Sequence, residues 1–198
     1  MDVILKGIIV YLKMIDKSIL LFFLVSYASG CLMLGLTLDK TLDVASLQAA
    51  ELAMHNEKRA IYGSSAISLD AALNTAAQAY ADYLATNNLF AHSSQAQSGS
   101  YGENLYKGWG SPTFTYVPGA ASLNWYNEVQ YYNYNTFVSN DPSKAVGHFT
   151  AMVWRAVTKV GFGFAKVKDN GESYYVVANY LPVPNVQGQY AANVVAPQ

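Results

Sequence analysis

Only one cysteine, Cys31, occurs in the 198 residues. An intrachain disulfide is therefore excluded, and packing must hold any core together. Charge is scarce too, with 13% of residues charged and a net charge of −1. Without a basic stripe or an acidic tail, the chain lacks the electrostatic footprint of a nucleic-acid binder. No Asn-x-Ser/Thr sequon, His-Glu-x-x-His or Gly-x-Ser-x-Gly pattern is present. No local motif thus marks a helical zinc protease site or a serine nucleophile on a tight elbow.

Aromatic residues are abundant instead, with 16 tyrosines, eight phenylalanines and three tryptophans. Tyr and Trp join an apolar body to a polar handle, which suits wet clefts and interfaces as well as cores. The length fits one domain with a sizeable core. The longest apolar run is Ser18–Leu38, 21 residues without a charge, preceded by Lys6, Lys13 and Lys17 and followed by Asp39. About 20 apolar residues span a bilayer as a helix, and lysines before such a run suit a signal peptide. Ala28-Ser29-Gly30 reads as a small-residue cleavage site before Cys31. Residues 1–40 are expected to be a cleaved signal, an uncleaved anchor or a segment lipidated at Cys31. Each reading sends the remainder across a membrane.

Beyond that segment, Leu47–Tyr62 reads as a helix stopped by Gly63, with His55, Asn56 and Arg59 on its surface in a structural role. Ser68 is positioned to cap a second helix reaching about Asn87. Its alanines predict close packing on another layer. The loop 107–119 is expected at the surface, and Ala120–Tyr131 returns to helical spacing. Strands are predicted near 160–168 and 173–181, joined by Asp169-Asn170-Gly171-Glu172, a hairpin signal. Gly147–Gly163 holds the densest signal: His148 opens a short helix with Met152, Val153 and Ala156 at helical spacing. Strand alternation then begins at Val160 and Phe162.

That stretch, GHFTAMVWRAVTKVGFG, resembles the main signature of the CAP superfamily of cysteine-rich secretory, antigen 5 and pathogenesis-related class 1 proteins. Tyr175–Asn185 (YVVANYLPVPN) resembles a second signature, and HNEKR at 55–59 and GENL at 102–105 resemble two shorter ones, all in the family's order. The resemblance implies a domain over residues 47–190, followed by a tail at 191–198. It also implies an α+β fold, a three-layer α-β-α sandwich, in which Phe162 and Ala178 stand where many relatives carry cysteines. Val157 stands in place of a usual hydroxyl residue, and Pro184 in place of a common glycine.

The resemblance also places His92, Glu103, Glu128 and His148 at a central cleft. Two imidazoles and two carboxylates suit zinc or another first-row divalent ion. At separations of 11, 25 and 20 residues, only the fold can assemble them. Relatives bind sterols through an aromatic loop corresponding to Tyr131–Phe137, here carrying Tyr131, Tyr132, Tyr134 and Phe137, and fatty acids between helices. The resulting expectation is a secreted or membrane-tethered domain that binds an apolar small molecule, sterol or fatty acid, beside a divalent-metal site. A membrane or an extracellular protein is a further expected contact. The alternatives are a metal-dependent peptidase or hydrolase, and an extracellular module docking a protein or glycan.

Overall fold

The computed structural model describes residues 38–39, 41–111, 114–169 and 171–197, all within one compact unit. The expected leader or anchor at 1–40 lies, but for Leu38 and Asp39, outside the described residues. No described helix is long and apolar enough to cross a membrane.

The first helix, α1, spans Val44–Ile61 and begins earlier than the periodicity predicts. The reason is local: the Asp43 carboxylate accepts from the Ser46 N–H and caps it. Gly63 follows at φ 59°, the left-handed conformation that glycine adopts without strain. The expected Ser68 cap is corrected, because Asp70 caps α2 (Ala71–Thr86) by accepting from the N–H groups of Ala72 and Leu73. An aspartate in extended conformation satisfies two of the helix's open donors at once. Ser68 is instead drawn into a two-residue strand, β1 (Ser68–Leu69), paired in parallel with the later Lys159 and Val160.

A four-residue helix, α3 (Ser94–Gln97), precedes strand β2 (Gly102–Gly110). Helix α4 (Ala120–Tyr126) tightens into a 3₁₀ turn over Asn127–Tyr131. Then come α5 (Gly147–Val153), strands β3 (Lys159–Asp169) and β4 (Gly171–Leu181), and the short α6 (Tyr190–Asn193). The predicted hairpin thus forms, and Asp169 lies opposite Gly171 in its register.

The sheet order is β1-β3-β4-β2, with β2 and β3 both antiparallel to β4. One face of the sheet presents Val160, Phe162, Phe164, Val176, Ala178 and Tyr180 to a core shared with Trp125, Phe149 and Met152. The other presents Leu105, Ala165, Val167, Tyr175 and Val177 to Ala77, Ala81, Leu84 and Ala85 of α2. Helices on both faces make the expected α-β-α sandwich. Phe162 and Ala178 are register partners, so apolar packing occupies the two positions where relatives carry cysteines.

The alanines of α2 do mark a close approach. A Cβ placed on Gly161 would lie 2.2 Å from the Leu73 carbonyl carbon, and one on Gly163 would lie 2.2 Å from that of Ala77. The same helix closes the edge of β3. Asn74 Oδ1 accepts from the Phe162 N–H at 2.9 Å, Gln78 Oε1 accepts from the Phe164 N–H at 3.0 Å, and Gln78 Nε2 donates to the Phe164 carbonyl at 2.7 Å. Side-chain amides thereby cover backbone groups that would otherwise invite another strand.

Two expectations are corrected by burial. The loop 107–119 is not all surface, because β2 continues to Gly110 and Tyr116 is buried. His55 and Arg59 are fully buried rather than on a helix surface. Their structural role stands. Arg59 donates to the carbonyls of Ser65, Met152, Trp154 and Val157 at 2.8–3.0 Å. Asn56 bonds the backbone N–H and C=O of Ile67.

Candidate functional site

The strand register fixes the first half of the site. Glu103 is the second residue of β2, opposite Asn179 of β4. Its Oε1 accepts from His92 Nδ1 at 2.9 Å and from the Ser93 N–H at 2.9 Å, so one carboxylate oxygen orients the imidazole and holds the backbone beside it. The glutamate side chain is wholly buried, whereas the imidazole is 51% exposed. The hydrogen bond that His92 donates to Glu103 outweighs partial burial and pushes the His92 pKa up.

The second half is built at the start of α5. Glu128, in the 3₁₀ turn, accepts from the backbone N–H groups of His148 and Phe149 at 3.0 and 3.1 Å through Oε2. Its Oε1 accepts from His148 Nδ1 at 2.6 Å. One carboxylate therefore covers two of the open N–H groups of the helix and aims its histidine. The imidazole also lies at a tilt of 24° to Trp125, with centroids 6.4 Å apart. Trp125 is itself fixed by donating Nε1–H to the Leu105 carbonyl at 3.0 Å.

The four residues implied by the resemblance thus form two histidine–glutamate pairs. Among the described residues no group of three or more His, Cys, Asp and Glu side chains is assembled to hold a metal ion. Asn104, next to Glu103, links the pairs by donating to the His148 carbonyl at 3.0 Å. Asn185 adds a second tie: its Nδ2 donates to the Gly147 carbonyl at 2.9 Å, and its Oδ1 accepts from the Thr150 hydroxyl at 2.7 Å. A cavity of about 280 Å³ opens beside the His92–Glu103 pair, lined by His92, Tyr101, Glu103, Ala151, Pro184 and Asn185. The Pro184 departure is a wall of this cavity and packs over Gly102, where a Cβ would meet its ring at 2.2 Å. Sequence reasoning passed over Asn104 and Asn185 as site residues, although both lie inside the quoted motifs.

The hydroxyls nearest the histidines have structural partners. Ser93 Oγ accepts from the Ala96 N–H and caps α3. The Thr150 hydroxyl is shared between the Gly147 carbonyl and Asn185. A glutamate–serine–histidine set does exist elsewhere. Glu51 Oε2 accepts from the Ser122 hydroxyl, whose oxygen lies 2.9 Å from His55 Nδ1. All three are completely buried, which keeps substrate away. Tyr116 and the Gly119 N–H also donate to Glu51, and Tyr180 bonds His55 Nε2 at 2.9 Å. This network ties α1, α4 and the sheet together. Sequence reasoning missed Glu51 and Ser122, which no spacing connects.

The aromatic loop is partly core. Tyr132 is buried, with its ring 5.4 Å from Phe149 and edge-on to Tyr134 at 4.9 Å. Phe137 packs partly buried at φ 60°, in the left-handed region, and Lys144 Nζ lies 5.7 Å from the centre of the Tyr131 ring. The neighbouring Val138 is exposed. Asn133 closes the turn by accepting from the N–H groups of Asn135 and Thr136.

An α-β-α sandwich with two histidine–carboxylate pairs flanking α5 defines a class, and comparison with known proteins identifies it. The profile of the Cysteine-rich secretory protein family, CAP, matches residues 52–180. Golgi-associated plant pathogenesis-related protein 1 of Homo sapiens is 36% identical over 149 residues, covering 74% of this chain and 91% of its own. Pathogenesis-related protein 1C of Nicotiana tabacum is 36% identical over 168 residues, covering 85% of this chain and 92% of its own. The crystal structure of NaASP2 with Zn2+ shares the fold at a TM-score of 0.55 and 21% identity, over 85% of this chain and 90% of that one. The chain belongs to the CAP family.

Proposed function

We propose that this CAP domain acts outside the cytoplasm as a binding protein, with a divalent ion at its histidine pairs and an apolar ligand at its aromatic loop. The observation that carries the metal reading is the treatment of Nδ1. Each histidine commits Nδ1 to a carboxylate, which leaves Nε2 as the atom for a ligand. A metal-binding imidazole is ordinarily oriented in this way, by a carboxylate on its other nitrogen. The donor chemistry therefore fits, with His92 and His148 as the ligating residues. Glu103 and Glu128 orient them instead of completing a four-ligand set. A zinc ion held there would supply a Lewis-acidic centre with positions open to solvent or ligand. NaASP2 was solved with Zn2+, which supports the choice of ion.

The apolar ligand is assigned to the loop carrying Tyr131, Tyr132, Tyr134 and Phe137. The Tyr132 ring packs against Phe149, which directly follows His148, so the loop rests on the helix that carries this histidine. The groove beside α1 and α2, of about 460 Å³, is lined mostly by polar side chains such as Gln48, Asn74, Gln78 and Asp82. A sterol is assigned to the loop, and a fatty acid would lie along the side-chain carbons of that groove. Binding is preferred to hydrolysis because Ser93, Ser94 and Thr150, the hydroxyls closest in sequence to the histidines, are engaged in capping, a bond to Gln95 and loop ties. Export is supported by the apolar run at Ser18–Leu38.

Native mass spectrometry of the purified domain, with and without chelator and with a sterol panel, tests the proposal. The expected result is a chelator-sensitive zinc mass that disappears in His92→Ala/His148→Ala. A sterol mass should weaken when Tyr134 and Phe137 become alanine. An unchanged bare mass after addition of zinc and sterols would overturn both assignments.

A further inference from the structure

Below the His92–Glu103 pair, the sheet interior contains polar groups without a counterpart among the described residues. Glu103 Oε2 is buried, and neither it nor either polar atom of the Asn179 side chain has a hydrogen-bond partner among the described residues. Asn179 is completely buried. Glu103 and Asn179 are opposite each other in the β2–β4 register, so their side chains leave the same face of the sheet. The Leu105 carbonyl is taken from outside the sheet by Trp125. In this part of β2, odd-numbered residues therefore turn their backbone groups away from β4. Glu103 and Asn179 form a non-hydrogen-bonded pair, the kind whose side chains approach most closely.

Among the described residues, no neighbour is placed to satisfy them. On the other flank of Asn179 stands Gly161, which brings no side chain and is covered by the α2 backbone at Leu73 and Asn74. The Asn74 side chain is committed to the Phe162 N–H, and the Tyr80 hydroxyl donates to the Ala91 carbonyl. Burying an amide and a carboxylate oxygen without partners is costly, and native proteins meet that cost with fixed water.

We propose that Asn179 and Glu103 enclose a fixed water that accepts from Asn179 Nδ2 and donates to Glu103 Oε2. A second water supplies the donor for Asn179 Oδ1. This buried hydration site makes Asn179 a positioning residue for His92. Water fixes one oxygen of Glu103, leaving the other aimed at His92 Nδ1, and that bond keeps Nε2 bare. The consequence for zinc rests on the metal reading above; the water and the histidine tautomer do not.

The first test is a crystal structure of the wild-type chain at a resolution that shows ordered solvent, combined with ring-nitrogen NMR of His92 near pH 8. Expected are water within hydrogen-bond distance of both Glu103 Oε2 and Asn179, and a dominant Nδ1–H tautomer. Asn179→Leu, close in volume and without polar atoms, should yield a mixed tautomer and bind zinc about tenfold more weakly, as loss of an outer-shell partner does elsewhere. Asn179→Ser keeps a hydroxyl for the water and should restore the wild-type tautomer. If the leucine variant does not fold, the serine variant and the wild-type solvent structure decide. A dry contact in which Asn179 bonds Glu103 directly would overturn the inference, as would an unchanged tautomer in folded Asn179→Leu. Failure of the wild-type domain to bind zinc would remove the metal reading while leaving the water and tautomer results to be judged separately.

Discussion

Replacing Arg59 with methionine isolates what a fully buried guanidinium contributes to this fold. The substitution keeps an unbranched side chain but deletes donors that reach four carbonyls, those of Ser65, Met152, Trp154 and Val157. Three of these belong to the passage from the end of α5 into β3, where the chain leaves the helix carrying His148. A buried carbonyl deprived of its donor costs about 1–3 kcal/mol. The Met152, Trp154 and Val157 carbonyls are buried and that of Ser65 is half-buried, so even at the lower bound the three buried ones amount to about 3 kcal/mol, a large part of the 5–15 kcal/mol that is typical of a folded domain. Chemical denaturation at fixed pH should show that loss at an unchanged m-value, with a melting temperature lower by about 10 °C. Arg59→Lys places its donors on one atom instead of a planar fork and should recover only part of the loss. A methionine variant within about 1 kcal/mol of wild type would refute the reasoning, since water would then be satisfying those carbonyls as well as Arg59 does.

Acid should unfold the domain partly through His55, whose complete burial pushes its pKa from 6.5 to about 3. The unfolded chain takes up that proton first, so the stabilisation is whole above pH 6.5 and declines as pH falls toward 3. Between pH 7 and pH 4 the wild type should lose about 3 kcal/mol more than His55→Gln, and equal losses in denaturant titrations would exclude the mechanism. Gly161→Ala should destabilise by about 3 kcal/mol, because its Cβ would lie 2.2–2.3 Å from the α2 backbone at Leu73 and Asn74. A melting temperature within a degree of wild type would mean that α2 lifts freely from the sheet.

Much of the fold is legible because its signals are local. Alternation through Val160, Phe162 and Phe164, together with the Asp-Asn-Gly-Glu turn, specifies the hairpin, and the Ala-rich periodicity of α2 specifies a helix that packs closely. Boundaries were less legible where two polar residues compete. Ser68 and Asp70 both suit a helix cap, and only pairing of Ser68 with Lys159, 91 residues away, decides for Asp70. The seclusion of His55 and Arg59 was hidden for the same reason, since a polar residue on a helix does not announce which partners will surround it.

The sequence by itself determined the residue types of the site and, through ordered motifs, the family in which they belong. It also determined the absence of an intrachain disulfide and the placing of His148 at a helix start. Tertiary structure alone decided that the four residues form two pairs. It put Glu103 beside His92 across a strand entry and Glu128 beneath the first turn of α5, so that both glutamates spend an oxygen on a histidine Nδ1. It also put Asn179 opposite Glu103 and left their polar atoms facing a shared interior. Hydrogen bonds reach about 3 Å, and proximity on that scale between residues up to 76 positions apart is set by register and layer packing, which no local pattern encodes.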